Sequence, residues 1–255
     1  MPHRRLLSLV SVLPVCLLAA SCSTVQRGIG GGASGAAPVA HCRSASSVPV
    51  GSSRVAVAAI VRRHARAYRR PGGRAFASFG HLNRNGYPTV LRVLSAVRRR
   101  NCSAAWYHVQ LPIRPNGVTG FVRAGAVGLG RVGTRIRVDV SSRRLTLYRN
   151  GRPVLRTTVA VGARATPTPT GSYYVDQRLV PVNPSGPYGP GALGISAFSN
   201  VLTHWTQGGP VAIHGTNEPS SIGRAASNGC IRVRNRVLRR LFASTPAGTP
   251  VTITR

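Results

Sequence analysis

A histidine and a cysteine sixteen positions apart, His214 and Cys230, lie in the run IHGTNEPSSIGRAASNGCIRV from Ile213 to Val233. A thiol attacks a carbonyl as its thiolate, so it needs a base within reach, most often an imidazole. His214 closes an apolar run and precedes Gly215, and the spacing to Cys230 lets one loop leave a sheet and return. Ser227-Asn228-Gly229 predicts a turn ahead of the cysteine, where Gly229 lacks a side chain and lets a substrate approach the backbone. The N–H groups of Gly229 and Cys230 are candidate donors to an oxyanion. Arg232 falls two residues on, where a strand would point it to the same side as Cys230, and it suits a carboxylate-bearing substrate.

Each residue alone is unremarkable, since a cysteine after glycine is commonly a small buried hydrophobe and a single histidine commonly structural. Their joint occurrence with an export signal and a β-rich context favours catalysis. His41, His64, His81, His108 and His204 show no metal-ligand spacing. With base and nucleophile both supplied by side chains, the chemistry calls for no metal and no organic cofactor.

The segment resembles the active-site motif of the L,D-transpeptidase (YkuD-type) family, in which a histidine precedes Ser-x-Gly-Cys. The likeness extends to TRIRVDVSSRRLTLYRNGR and to the TPTPTG run, so that it spans roughly Gly133 to Arg255. It implies a mainly β chain with a C-terminal β-sandwich and a short helix, the cysteine lying in a cleft beneath a loop. It also implies Cys230 as nucleophile, His214 as general base and the Gly215 carbonyl as the group that orients the imidazole. Ser227, Asn228 and Arg232 become substrate contacts. Many members have His or Arg where this chain has Asn228, which puts one peptide contact in question. The implied reaction acts on peptidoglycan stem peptides. A thioester forms with loss of D-alanine, and the amine of a neighbouring stem resolves it, linking the third residues of two stems. Water as acceptor would make the protein an L,D-carboxypeptidase. A non-catalytic wall-binding protein is the reading from another class, and the intact His214 and Cys230 argue against it.

The elements that must position these residues are strands. Thr134–Val140, Leu145–Tyr148 and Val154–Val161 alternate as a meander, and further strands are expected at Ser172–Val175, Val211–Ile213 and Val251–Ile253. A helix is expected from Arg234 to Ala243, with Val237, Leu238, Leu241 and Phe242 on one face. The Gly/Pro-rich stretch from Val180 to Gly194 reads as a loop bordering the site. Residues 134–255 are thus the expected catalytic domain, and 128–133 the linker before it.

Residues 54–127 carry short apolar runs, with Asn116-Gly117 between alternating segments as a hairpin signal. This part resembles a small Src-homology-three-like β-rich barrel. Trp106, Tyr107 and Phe121 fit hairpin packing better than a sugar platform. Residues 23–53, rich in Gly, Ala and Ser, are expected to be a flexible tether.

Residues 1–22 read as a signal peptide: Arg4 and Arg5 precede an apolar run to Ala20, and small residues lead to Cys22. That ending resembles a bacterial lipobox with Cys22 as the lipidated residue, placing the protein on the outer face of the cytoplasmic membrane, held by lipid, or in the cell wall. In an exported chain Cys42 and Cys102 are free to form a disulfide, and Cys230 is then the thiol left over. Thirty-five basic residues, all Arg, face Asp139, Asp176 and Glu218, for a net charge of +32. Anionic wall polymers are admissible partners of such a field, and the scattered arginines form no motif of a specific nucleic-acid reader.

Overall fold

Alternation of apolar and polar residues builds two antiparallel-rich sheets, each closing over its own apolar core. The computed structural model describes Cys42 and residues 46–255. The expected signal peptide, Cys22 and nearly all of the tether before residue 46 lie outside the described residues.

The first sheet contains β1 (Ser47–Pro49), β2 (Ala56–Val61), β3 (His64–Tyr68), β4 (Ala75–Gly80), β5 (Val90–Arg98), β6 (Ala104–Gln110), β7 (Thr119–Arg123) and β8 (Val127–Val132). Their order is β4-β3-β7-β6-β5-β2-β8, with β1 paired to β5. Val57, Val61, Leu91, Val93, Val109, Leu111 and Val122 form its core. Two expectations are corrected here. The tether does not run to residue 53, because β1 pairs Val48 with Ala96 and Val50 packs on the core. Residues 128–133 are no linker: β8 pairs with β2 from Val132↔Ala56 to Val127↔Val61, because Val127 and Val132 have apolar surface to bury. Cys42 and Cys102 are joined by a disulfide across a sequence separation of 60. Trp106 sits edge-on to Tyr68 with the Arg123 guanidinium over its ring, so both neighbours are internal.

The second sheet contains β9 (Thr134–Asp139), β10 (Arg144–Arg149), β11 (Arg152–Thr158), β13 (Gly171–Leu179), β14 (Ala192–Phe198), β15 (Pro210–His214), β17 (Ile231–Arg232) and β18 (Pro250–Thr254). The order is β11-β10-β9-β18-β13-β14-β15-β17, and a separate pair joins β12 (Val161–Gly162) to β16 (Ala225–Ser227). The meander, the later strands and the helix α1 (Asn235–Ser244) stand close to where the sequence pattern places them. Leu238 and Leu241 of α1 enter a core shared with Ile136, Leu145, Val175, Leu193, Ile213, Ile231 and Ile253. One sheet therefore wraps a single core, with β13 belonging to both of its arms. A bulge between Val175 and Gln177 marks the bend, where Asp176 is the unmatched residue.

The sheets lie in one compact unit and are joined by polar contacts. Tyr174 Oη donates to the Val90 carbonyl at 3.1 Å, and Gln110 Nε2 to that of Ser172 at 2.7 Å. The hairpin β6–β7 forms, but Asn116-Gly117 is not its two-residue turn. It belongs to a longer loop that reaches the second sheet, where Asn116 makes reciprocal 2.8 Å bonds with the backbone of Phe198. A cavity of about 460 Å³ between the sheets is lined by residues of both, among them Asn83, Arg114, Asp176 and Gln177. Among the described residues, no helix is long and apolar enough to cross a membrane.

Candidate active site

His214 ends β15 and Cys230 immediately precedes β17, two strands that run parallel and adjacent. The register pairs Ile213 with Ile231 and His214 with Arg232. Ile213 and Ile231 are both fully buried in the core, and that alternation turns His214 and Arg232 to the opposite face. Cys230, one residue before Ile231, falls on the His214 side of the pair. The leap of sixteen positions in sequence thus becomes a diagonal step between neighbouring strands, on the order of 7–8 Å between backbones. Cys230 is half-buried and is the free thiol among the described residues.

Three features hold the cysteine in place. Ser227 Oγ donates to the Cys230 carbonyl at 2.6 Å and accepts from the Gly229 N–H at 3.1 Å, closing the turn. Gly229 has φ +108°, a conformation that an L side chain rarely adopts, and its α-carbon faces the carbonyls of Thr166 and Pro167. The segment that leads into TPTPTG braces the same turn from outside: Thr166 Oγ1 and the Ala163 N–H both donate to the Ser227 carbonyl, at 3.0 and 2.8 Å.

These contacts revise two expected roles. Ser227 is 3% exposed with its hydroxyl engaged at both ends, so its contacts are those of a turn builder. The Gly229 N–H already donates to Ser227, which leaves the Cys230 N–H as the candidate donor from this turn. Asn228 is exposed beside them.

His214 is 4% exposed, and its Nδ1 lies 2.5 Å from the Gly215 carbonyl. A carbonyl can only accept, so Nδ1 carries the proton and Nε2 keeps the lone pair. Tyr188, from the Gly/Pro-rich loop, stands edge-on to the imidazole with centroids 5.0 Å apart, so that loop does border the site. It approaches so closely at Gly189 that a Cβ there would lie 2.4 Å from Asn235 Oδ1 and 2.8 Å from the Gly215 α-carbon. Asn235, at the start of α1, accepts from the Thr216 N–H at 2.8 Å and fixes the chain just beyond His214. Neither Tyr188 nor Asn235 is singled out by sequence pattern, because each acts through a contact made only on folding.

The family model of the L,D-transpeptidase catalytic domain, YkuD, matches residues 133–253. This stretch is a YkuD-family domain. It is 41% identical over 120 residues to the protein of Bacillus subtilis that bears the name L,D-transpeptidase YkuD, covering 47% of this chain and 65% of that one. It is 35% identical over 109 residues to Escherichia coli K12 YbiS, also named for L,D-transpeptidase activity, covering 39% and 32% of the two chains. The chain therefore spans less than two thirds of these relatives. Among solved structures, a mutant Enterococcus faecium L,D-transpeptidase is similar at 27% identity, covering 47% of this chain and 49% of that one, with a TM-score of 0.37.

Electrostatics in the YkuD domain favour neutral partners at rest. Burial pushes the His214 imidazole down to about 4, opposed by its bond to Gly215 and assisted by the Arg232 charge. Burial raises the Cys230 thiol, while the Ala212 backbone and Arg232 pull it back. At neutral pH the pair is an imidazole beside a thiol. Arg232 itself donates from Nη1 to Glu218 Oε2 at 2.6 Å. Among the described residues, no group of three or more His, Cys, Asp and Glu is arranged to hold a metal ion.

Proposed function

We propose that this protein is an exported L,D-transpeptidase that cross-links peptidoglycan stem peptides through a thioester on Cys230. The observation that carries the proposal is the placement of His214 and Cys230 on one face of two adjacent parallel strands. The tautomer that the Gly215 carbonyl imposes leaves Nε2 as the base. As the donor stem enters beneath the Tyr188 loop, Nε2 takes the Cys230 proton and the sulfur attacks the carbonyl of the diamino acid before a terminal D-alanine. The Cys230 N–H donates to the oxyanion. The protonated imidazole returns its proton to the leaving amine, and D-alanine departs. An amine of a second stem then attacks the thioester, losing its proton to Nε2, and the thiol re-forms.

A depressed imidazole suits this cycle, because protonated His214 is a strong acid toward the leaving amine. The apolar run of residues 6–20 and the small residues before Cys22 support export with lipid at Cys22 as the anchor. The +32 charge supports residence among anionic wall polymers.

The test is incubation of the protein with a tetrapeptide-bearing muropeptide, with products read by mass spectrometry. A cross-linked dimer with loss of D-alanine is the expected result. Monomeric tripeptide would assign hydrolysis instead, and unchanged substrate with folded protein would sink the enzyme reading.

A further inference from the structure

Only three side chains in this sequence are acidic, against 35 arginines, and one of the three sits on the guanidinium opposite His214. Both partners of that pair are fixed by their own backbone. Glu218 donates its N–H to Thr216 Oγ1 at 2.9 Å, and its carbonyl accepts from the Ser221 hydroxyl at 2.6 Å and from the Ser221 N–H at 3.0 Å. Arg232 exchanges backbone bonds of 2.9 and 3.0 Å with Ala160 and lies in register with His214 on its other side. The loop joining His214 to Cys230 thus carries its own carboxylate to the cation beside them.

We infer that Glu218 is a resident competitor for Arg232, occupying the guanidinium in the free protein and giving way to a carboxylate on the incoming acyl donor. The inference rests on the acyl-transfer reading above and names a specificity determinant within it. The Arg232 side chain is 19% exposed, so leaving it unpaired in the free protein would be costly, whereas Glu218 is 63% exposed and easily re-solvated. The contact uses one guanidinium nitrogen at 2.6 Å. An exposed single-contact pair is weak, and a donor carboxylate that meets the guanidinium fork with both oxygens outcompetes it. A donor with an amide or neutral group at that position has no charge with which to displace Glu218, and the device discriminates against it.

The experiment alkylates Cys230 in the folded full chain with iodoacetate and, separately, with iodoacetamide. In each case a sulfur–carbon bond forms, a carbon–iodine bond breaks, iodide leaves and the thiol proton passes to buffer. The reagents differ in carrying a carboxylate or an amide. Glu218→Gln is expected to raise the iodoacetate-to-iodoacetamide rate ratio about two- to fivefold, the range set by an exposed ion pair. The gain should vanish in Arg232→Gln and shrink in Arg232→Lys, which keeps the charge but loses the fork. An unchanged ratio, or an equal gain without Arg232, would overturn the inference, as would failure of either reagent to reach Cys230 in folded protein. Alkylation needs no peptidoglycan. A shifted ratio in a protein inactive on muropeptides would therefore leave the competitor in place and remove only the transpeptidase reading.

Discussion

His214 and Arg232 stand directly opposite each other on adjacent parallel strands, and the fully buried pair one step back, Ile213 and Ile231, anchors both to the core. The imidazole is therefore positioned by apolar packing as much as by its own bond to Gly215. A cation beside it disfavours the imidazolium and favours the thiolate.

That arrangement predicts an acid limb of kcat/KM well below the ordinary histidine range. Nε2 keeps its lone pair until pH falls toward about 4. Substitution of Arg232 by Gln should move the limb upward, because the opposing charge is gone. A limb that stays put in the pH profile of the variant would show that burial alone sets it.

The same shift affects stability. The folded value of His214 is depressed from 6.5 to about 4, so its contribution is fully present above about pH 6.5 and is lost as pH falls through about 4. The full effect is on the order of 3 kcal/mol. In urea titrations, His214→Gln should lose less stability between pH 7 and pH 4 than the parent. Parallel pH dependences would contradict the assignment.

Asp176 acts in the opposite sense. Burial raises its carboxyl to about 7 against the pull of two backbone N–H groups, and its Oδ1 is sealed from solvent without a hydrogen-bond partner. Stability from this group is present below its ordinary value of 3.8 and is lost as pH rises through about 7. Asp176→Asn should therefore raise the melting temperature more at pH 8 than at pH 4.5. Equal gains at the two pH values would mean the folded carboxyl is not raised above its ordinary value.

Ser227→Ala tests the turn. It leaves the Gly229 N–H and the Cys230 carbonyl without their partner, at a cost of about 2 kcal/mol. With the cysteine no longer held, kcat should fall tenfold or more, on the order expected for a misplaced nucleophile, with KM little changed. A raised KM with unaltered kcat would return Ser227 to the role of substrate contact.

Cys102→Ser should lower stability by about 2–4 kcal/mol, since the disulfide closes a long loop between Cys42 and the β5–β6 turn. Turnover per folded molecule should not change. Loss of chemistry in protein that is still folded would mean the thiols are wrongly assigned.

The sequence singled out the groups proposed to carry the chemistry. His214, Cys230 and Gly229 are local signals, a reactive side chain or a residue without one, and the second sheet's meander and helix follow from periods of 2 and 3.6 that need no distant partner. Folding decided the roles that depend on what lies across a gap. Ser227 looks like a substrate contact until its hydroxyl is found inside the turn, and residues 128–133 look like a glycine linker until β2 offers them a neighbour. Tyr188, Asn235 and Glu218 are ordinary in the sequence because each draws its role from a residue brought to it through the fold. A one-dimensional pattern records what a side chain can do, and only the tertiary structure sets what it does it to.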